Sequence, residues 1–415
     1  MIGYHGWDYS RAGLICRLTL GRPPGENVCR VKAGKPSFTA LALLLAALAI
    51  TCALAYARFR SGQPALRDFL SFYAGGRLFL ESPPFTWSAA PARIYSAQAQ
   101  RNMESRLRPG APYMPCLRPP LFWAMVAPLS RLSLENALMV WLALNAAAAA
   151  AIGLWAAARM GEPAMLLLLA LFVPLIVSLS VGQDTPLLVM VLLGFLALLE
   201  RGRPISAAIL LSLLWVKPQW LPPFALLLLA RREWRALGVL AGLSAAIWAV
   251  FSPLPYLRFL NEVRHSPGVP ACLACMPNVR GLAAWLGGFQ AMGVAAAVGA
   301  GAAWAIVYVR ARRGSLSAGF APACLAALLA GYYSHIYDCL LVVPAVAAAA
   351  PDEFQARWQK VSAGVALSPL PYLASYWGPA LRGFPALTAL AVFAALAAGK
   401  STAHRAPQSQ VPPLG

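Results

Sequence analysis

The sequence predicts an all-α polytopic membrane protein, and three observations carry that prediction. Of its 415 residues, 60% are hydrophobic and only 12% charged. Its mean hydropathy is +0.63, which leaves too little polar surface for a water-soluble globule. Ser37 to Ala57 runs 21 residues without a charge, enough to cross a ~30 Å hydrocarbon core as a helix. Similar uncharged stretches recur to the end of the chain. The first begins too late, and lacks the small-residue cleavage site, to be a secretory signal. The net charge of +20 is scattered among apolar spans, which fits membrane topology and anionic lipid and argues against nucleic acid.

The apolar stretches predict about twelve helices, near 37–57, 134–158, 164–181, 185–199, 204–216, 218–230, 236–252, 288–309, 316–333, 338–351, 361–377 and 384–399. The segment 119–132 is apolar but short and contains Pro119, Pro120 and Pro128, so it reads as a re-entrant or interfacial helix. Residues 1–36 form a basic cytoplasmic segment, 37–399 the transmembrane unit, and 400–415 a disordered cytoplasmic tail rich in Pro, Ser and Gln.

Basic residues orient the bundle. With the amino terminus inside, five short inner loops hold Arg159, Arg201, Arg203, Arg231, Arg232, Arg235, Arg310, Arg312, Arg313, Arg357 and Lys360. The short outer loops hold only Lys217 and Arg382, as the positive-inside rule requires. The 58–118 loop lies outside and is long enough to be exempt. It carries nine arginines against Asp68, Glu81 and Glu104, which suggests an anionic, membrane-held substrate.

This topology gathers the polar segments on one face: Asp68, Gly182-Gln183-Asp184, Lys217-Pro218-Gln219, Met276 to Arg280, and Ser334-His335-Ile336-Tyr337-Asp338. Ionisable groups at membrane depth are expensive, so their gathering reads as a site. Leu66, Phe69, Leu70 and Tyr73 make one helical stripe, with Asp68 and Ser71 opposite and Gly75-Gly76 ending the pattern. An interfacial amphipathic helix would then hold Asp68 above the lipid, facing a polar cavity. The structural alternative pairs Asp68 with Arg67 or Arg77, or makes it a cap. His335 either orients an acceptor or acts as a second base, or is simply bonded at a helix end. Gln183 and Asp184 bind sugar hydroxyls or cap the helix at Thr185. Trp215, Trp220 and Tyr256 line a cavity or form the interfacial belt. Cys272 and Cys275 make one Cys-x-x-Cys, too little for zinc with only His265 near; they read as incidental, with pairing to each other or to Cys116 as the alternative.

The order of elements resembles glycosyltransferase family 87, polyprenyl-phosphate-mannose-dependent mannosyltransferases of the membrane-embedded GT-C class. The resemblance rests on Asp68-Phe69 with Phe72-Tyr73-Ala74-Gly75, Tyr113-Met114-Pro115, and Arg118-Pro119-Pro120-Leu121. It continues through Ala127-Pro128-Leu129, Val181-Gly182-Gln183, Arg201-Gly202-Arg203, Val216-Lys217-Pro218, Arg231-Arg232-Glu233-Trp234-Arg235 and Tyr337-Asp338. It spans roughly residues 60–350.

The resemblance implies a GT-C-type bundle in a bacterial inner membrane with its site facing outward. A hexose, mannose in the family, passes from a polyprenyl phosphate to a hydroxyl of a glycolipid or glycan acceptor, with inversion, in cell-envelope glycan synthesis. Asp68 matches the family's base, and removal of the attacking hydroxyl's proton is work one positioned carboxylate can do. Cations would meet the departing phosphate: Arg67, Arg77, Arg118, Lys217 and Arg280 are the candidates, with Tyr113, Gln183, Asp184, Tyr337 and Asp338 as further substrate contacts. No metal or other cofactor is implied. Asp68 is followed by Phe69 rather than a second acid, and Cys339-Leu340 stands where family members often carry one. The rival is a transporter or flippase for an anionic lipid-linked substrate, but such folds place polar residues at the midplane of paired repeats, not at one face.

Overall fold

A computed structural model describes residues 37–63, 65–81, 93–265, 273–287, 292–349, 354 and 356–399. The basic amino-terminal segment, the tail and Cys272 lie outside these. Among the described residues every regular element is a helix.

The chain opens with α1 (Phe38–Arg60), capped by the Ser37 side chain, which accepts from Ala40 N at 3.5 Å. Next come α2 (Arg67–Glu81), α3 (Ala97–Leu107) and α4 (Pro120–Val126). The segment 119–132 therefore holds a seven-residue helix and a 3₁₀ turn, Leu129–Arg131, too short to cross a membrane. Then follow α5 (Leu134–Met160), α6 (Ala164–Ala170), α7 (Val173–Val181), α8 (Thr185–Glu200), α9 (Pro204–Leu211), α10 (Leu221–Ala230), α11 (Trp234–Val250) and α12 (Pro253–His265). The rest comprises α13 (Val279–Gly287), α14 (Met292–Arg313), α15 (Leu316–Leu329), α16 (Val342–Ala349), α17 (Arg357–Leu367), α18 (Leu370–Ala374) and α19 (Phe384–Ala398).

Among the described residues four helices are long and apolar enough to cross a membrane: Phe38–Arg60, Leu134–Met160, Gly293–Arg313 and Pro379–Ala398. Two bent pairs raise the number to six. α6 and α7 meet at 46°, and α11 and α12 at 76°. Each break replaces or follows one of the single helices expected from apolarity; Phe172-Val173-Pro174 and Ser252-Pro253 supply the cause, because proline cannot continue the preceding turn. The stretch expected as one helix at 361–377 is likewise divided, with Pro369 and Pro371 at the division. Other apolar stretches form helices of 10–17 residues, among them Thr185–Glu200, Leu316–Leu329 and Ile336–Ala349.

α15 and α16 are apolar all round and almost wholly buried, as helices at the centre of a bundle are. α1 and α14 instead turn apolar side chains outward: Ile50 and Leu54 are 59% and 60% exposed, Val294 and Val298 71% and 66%. Those are the faces for hydrocarbon.

α2 departs from expectation. Leu66, Phe69, Leu70 and Tyr73 are buried as their stripe predicts, but Ser71, Phe72 and Ala74 are buried too. The helix therefore packs inside the protein rather than lying on the interface. Gly75 and Gly76 do not end it. A Cβ at Gly75 would fall 2.1 Å from the Trp123 ring, and one at Gly76 2.1 Å from Ser130 Oγ. The pair lets α2 press against α4 and the turn after it, and Ser130 Oγ donates to Tyr73 O at 3.1 Å.

Candidate functional site

Two backbone features aim the site. Leu66 is buried with φ +55, a region costly for a branched side chain. Its N–H donates to Ser180 O near the end of α7 at 3.0 Å, so the chain enters α2 from a point anchored to α7. α7 closes on Gly182, φ +79, where a Cβ would strike Phe69 Cβ at 2.6 Å. Only glycine fits both demands, and the next residue, Gln183, is delivered against Asp68. Trp141 Nε1 holds Gly182 O at 2.9 Å.

Gln183 links the parts. Its Nε2 donates to Asp68 Oδ2 at 2.5 Å and to the Tyr337 hydroxyl oxygen at 3.1 Å. Its Oε1 accepts from Arg118 Nη2 at 2.9 Å. A guanidinium has donors only, so this bond fixes which end of the amide faces Asp68. Arg118 Nη2 also pairs with Asp184 Oδ1, and its Nη1 reaches Val216 O at 3.2 Å. Lys217 Nζ pairs with Asp338 Oδ1, which also accepts from Thr185 Oγ1 at 3.5 Å. Asp338 Oδ2 accepts from His335 N at 3.0 Å. Arg118, Gln183, Asp184, Lys217 and Asp338 are all under 9% exposed, while Asp68, His335 and Tyr337 are partly open.

Three carboxylates thus converge, and they differ in kind. Asp184 and Asp338 are each neutralised by a buried cation. Asp68 is held by a neutral amide. Burial pushes its carboxyl up to about 6, opposed by the Gln183 bond and the charges of Arg118 and Lys217. A group so poised takes up a proton near neutral pH. The His335 ring lies edge-on to Tyr333 at 4.7 Å and tilted to Tyr337 at 5.1 Å. Burial pushes its basicity down to about 4, which leaves the imidazole neutral at physiological pH.

Asp68, Arg118, Gln183, Asp184, Lys217, His335, Tyr337 and Asp338 are thus brought together. Other nominated residues are not part of this network. Arg77 Nη1 donates to Ser130 O at 3.2 Å, behind α2. Tyr113 bonds Gln100 Oε1 at 3.1 Å beneath Arg101. Arg67 buries its Nε without a partner, and pairs with neither Asp68 nor any other acid among the described residues. Arg280 stacks on Tyr332 at 4.1 Å and donates to Tyr332 O at 3.1 Å; its charge and that of Asp68 both act on Tyr333. The capping alternative for Asp184 fails, for its side chain caps nothing. Trp220 is fully buried under Lys217 Nζ, 4.7 Å from its ring, and is no belt residue. Cys275 is disulfide-bonded rather than incidental, and Cys116 is free.

The profile of Glycosyltransferase family 87 matches residues 117–344, more than half of the chain. The chain belongs to glycosyltransferase family 87. It is therefore a glycosyltransferase, and the transporter alternative falls away. The matched span holds every charged member of the network except Asp68, which lies before it. No curated protein and no solved structure matches the chain.

Sequence reasoning missed Thr185, Tyr333, Leu66 and the buried Glu104. In this family 87 member Glu104 is 2% exposed. Its Oε2 accepts from Met114 N at 3.0 Å while Oε1 has no partner, and burial pushes the carboxyl up to about 8. Tyr333 belongs to the aromatic run Tyr332-Tyr333-Ser334-His335-Ile336-Tyr337, a signal present in the sequence. Leu66 gave none.

Proposed function

We propose that the chain transfers a hexose, mannose by family resemblance, from a polyprenyl phosphate to a hydroxyl of a glycolipid or glycan acceptor. The bond from the acceptor oxygen to the anomeric carbon forms as the bond from that carbon to the phosphate oxygen breaks, with inversion. Asp68 takes the hydroxyl proton, and the polyprenyl phosphate departs with the electron pair and its added negative charge. The observation that carries this reading is the contrast among the carboxylates: only Asp68 is free of an ion-pair cation and partly exposed. Asp184 and Asp338 would have to leave an ion pair before accepting a proton.

The leaving phosphate meets Arg280, Arg118 and Lys217, so that fixed donors stabilise the developing charge. The neutral His335 ring and the Tyr337 hydroxyl orient the acceptor. Since the Tyr337 oxygen accepts from Gln183, its own proton is free to be donated into the cavity. No step is routed through a metal or other cofactor.

The surrounding architecture follows from the same reading. Residues 37–399 form one catalytic unit with a GT-C-type bundle of about twelve helices. The 10–17-residue apolar helices supply the crossings beyond the long ones. The site faces the outside of a bacterial plasma membrane, with 1–36 and 400–415 in the cytoplasm.

The test is transfer of labelled mannose from polyprenyl phosphate to membrane acceptors by wild type and Asp68→Asn. Loss of one positioned proton acceptor costs ~10²–10⁴-fold in rate. Equal transfer by both proteins removes Asp68 as the base. Transfer by neither, with another labelled polyprenyl phosphate sugar accepted, removes mannose alone.

A further inference from the structure

A cavity of about 590 Å³ lies away from the carboxylates. It lies at the far end of α8, which at 16 residues is about 24 Å long. Two turns build it, and they are near copies. α8 ends with Gly202 N donating to Leu199 O (3.0 Å) and Arg203 N to Leu198 O (2.9 Å), and Gly202 sits at φ +67. α10 ends with Arg232 N donating to Leu229 O (3.0 Å) and Glu233 N to Leu228 O (3.0 Å), and Arg232 sits at φ +59. Both are helix C-terminal turns whose closing residue is left-handed. One uses glycine, which takes that conformation freely. The other uses arginine, for which it is strained, so the turn geometry is no reason for an arginine there.

The cavity opens between these turns. Arg203, Arg232 and Arg235 line it and are exposed; none of their guanidinium groups has a hydrogen-bond or ion-pair partner among the described residues. α9 and α11 start at its wall, and neither amino terminus has a side-chain cap; their dipoles face those of the α8 and α10 carboxyl ends, so the three guanidinium groups carry the cleft's positive charge. Glu233 is the single acid in the lining. Beside the opening the surface turns apolar: Ile205 is 44% exposed, Ile209 51% and Trp234 62%. A cationic cleft capping two lipid-facing helices has the form of a headgroup site rather than of a site for a water-borne ligand.

We propose that this cleft binds the phosphate group of an anionic phospholipid, with the acyl chains along Ile205, Ile209 and Trp234. Arg203 and Arg235 supply planar donors to the phosphate oxygens, and Arg232 keeps its strained backbone because its guanidinium faces the same anion. The site is separate from the glycosyl-transfer centre and stands whether or not Asp68 is the base.

The experiment uses the full chain purified in detergent, with native mass spectrometry counting the phosphatidylglycerol molecules retained as delipidation proceeds. Retention weakens about fivefold in Arg232→Gly and about 25-fold in Arg203→Gln/Arg235→Gln, while Arg312→Gln, a basic residue on α14, leaves it unchanged. In lipid-free detergent Arg232→Gly melts at or above the wild-type temperature, since glycine relieves the strain; this separates lost binding from lost fold. Unchanged retention in the cleft variants overturns the proposal, as does an equal loss in Arg312→Gln, which would mean diffuse charge. Displacement of the lipid by millimolar inorganic phosphate, dependent on the same arginines, assigns the cleft to a soluble ligand and also overturns it.

Discussion

The two ends of α8 handle charge in opposite ways. At the Thr185 end, Arg118 and Lys217 are buried and each is locked to a carboxylate. At the Glu200 end, Arg203, Arg232 and Arg235 are exposed and unpaired around a cleft. The difference follows from desolvation. A charge removed from water must find a partner or shift its protonation, whereas a charge left at the surface is free for a ligand. Within the buried end Asp68 is the exception, a carboxylate held by an amide, and burial raises its proton affinity with no ion pair to offset it.

The sharpest break in this comparison is to strand one buried charge. Lys217→Met leaves Asp338 without its cation and destabilises the protein by about 3–5 kcal/mol, read as a lowered melting temperature in detergent. Lys217→Met/Asp338→Leu removes both charges and recovers most of that loss. If the single variant melts like wild type, the pair is not buried as described.

Asp68 supplies the next effect. A base with a pKa of about 6 is ionised above that pH and protonated below it. The kcat/KM of transfer is therefore flat above pH 6 and falls about tenfold per unit below it. An acid limb near pH 4 would mean that burial does not govern this carboxylate.

Glu104 gives a smaller shift. Its folded-state pKa of about 8 stands above the ~4.3 of an unfolded glutamate. Between those values the folded chain holds a proton that the unfolded chain has lost, so stability declines as pH rises from about 4.3 to 8 and is level above. Glu104→Gln stays neutral throughout, and its melting temperature depends less on pH across that window. Parallel melting curves for the two proteins would remove Glu104 from the account.

The least effect belongs to an exposed pair. Arg60 and Glu135 are 57% and 52% exposed, and Arg60→Ala costs less than about 1 kcal/mol in the same melting assay. A loss as large as that of Lys217→Met would erase the distinction between buried and exposed charge.

Much of this was legible in the sequence. Uncharged apolar stretches located most of the helices, though several are broken or shorter than expected, and polar loop segments singled out Asp68, Gln183, Lys217 and Asp338, which the fold brings together. What could not be read was set by three-dimensional packing. Gly75-Gly76 looks like a helix end because glycine usually weakens helices, yet here it makes room for Trp123 and Ser130. Arg77 and Arg118 look alike in a basic loop; only the fold sends one to a backbone carbonyl behind α2 and the other to Asp184. The bends at Pro174 and Pro253 have visible causes, but the angles depend on neighbouring helices. Glu104 gave no sign of burial, since nothing local marks a glutamate whose partner is the N–H of Met114.

Gln183 has one more consequence. Placed between Asp68 and Arg118, its uncharged amide acts as an insulator: it passes orientation from the ion pair to the Asp68 carboxyl while keeping full charges apart. With Asp68 as the proposed base, the working pH is set more by the buried walls around it, Tyr333 and Tyr337 among them, than by the charged residues. An engineer wishing to move that pH would alter the polarity of those walls and leave the ion pairs alone.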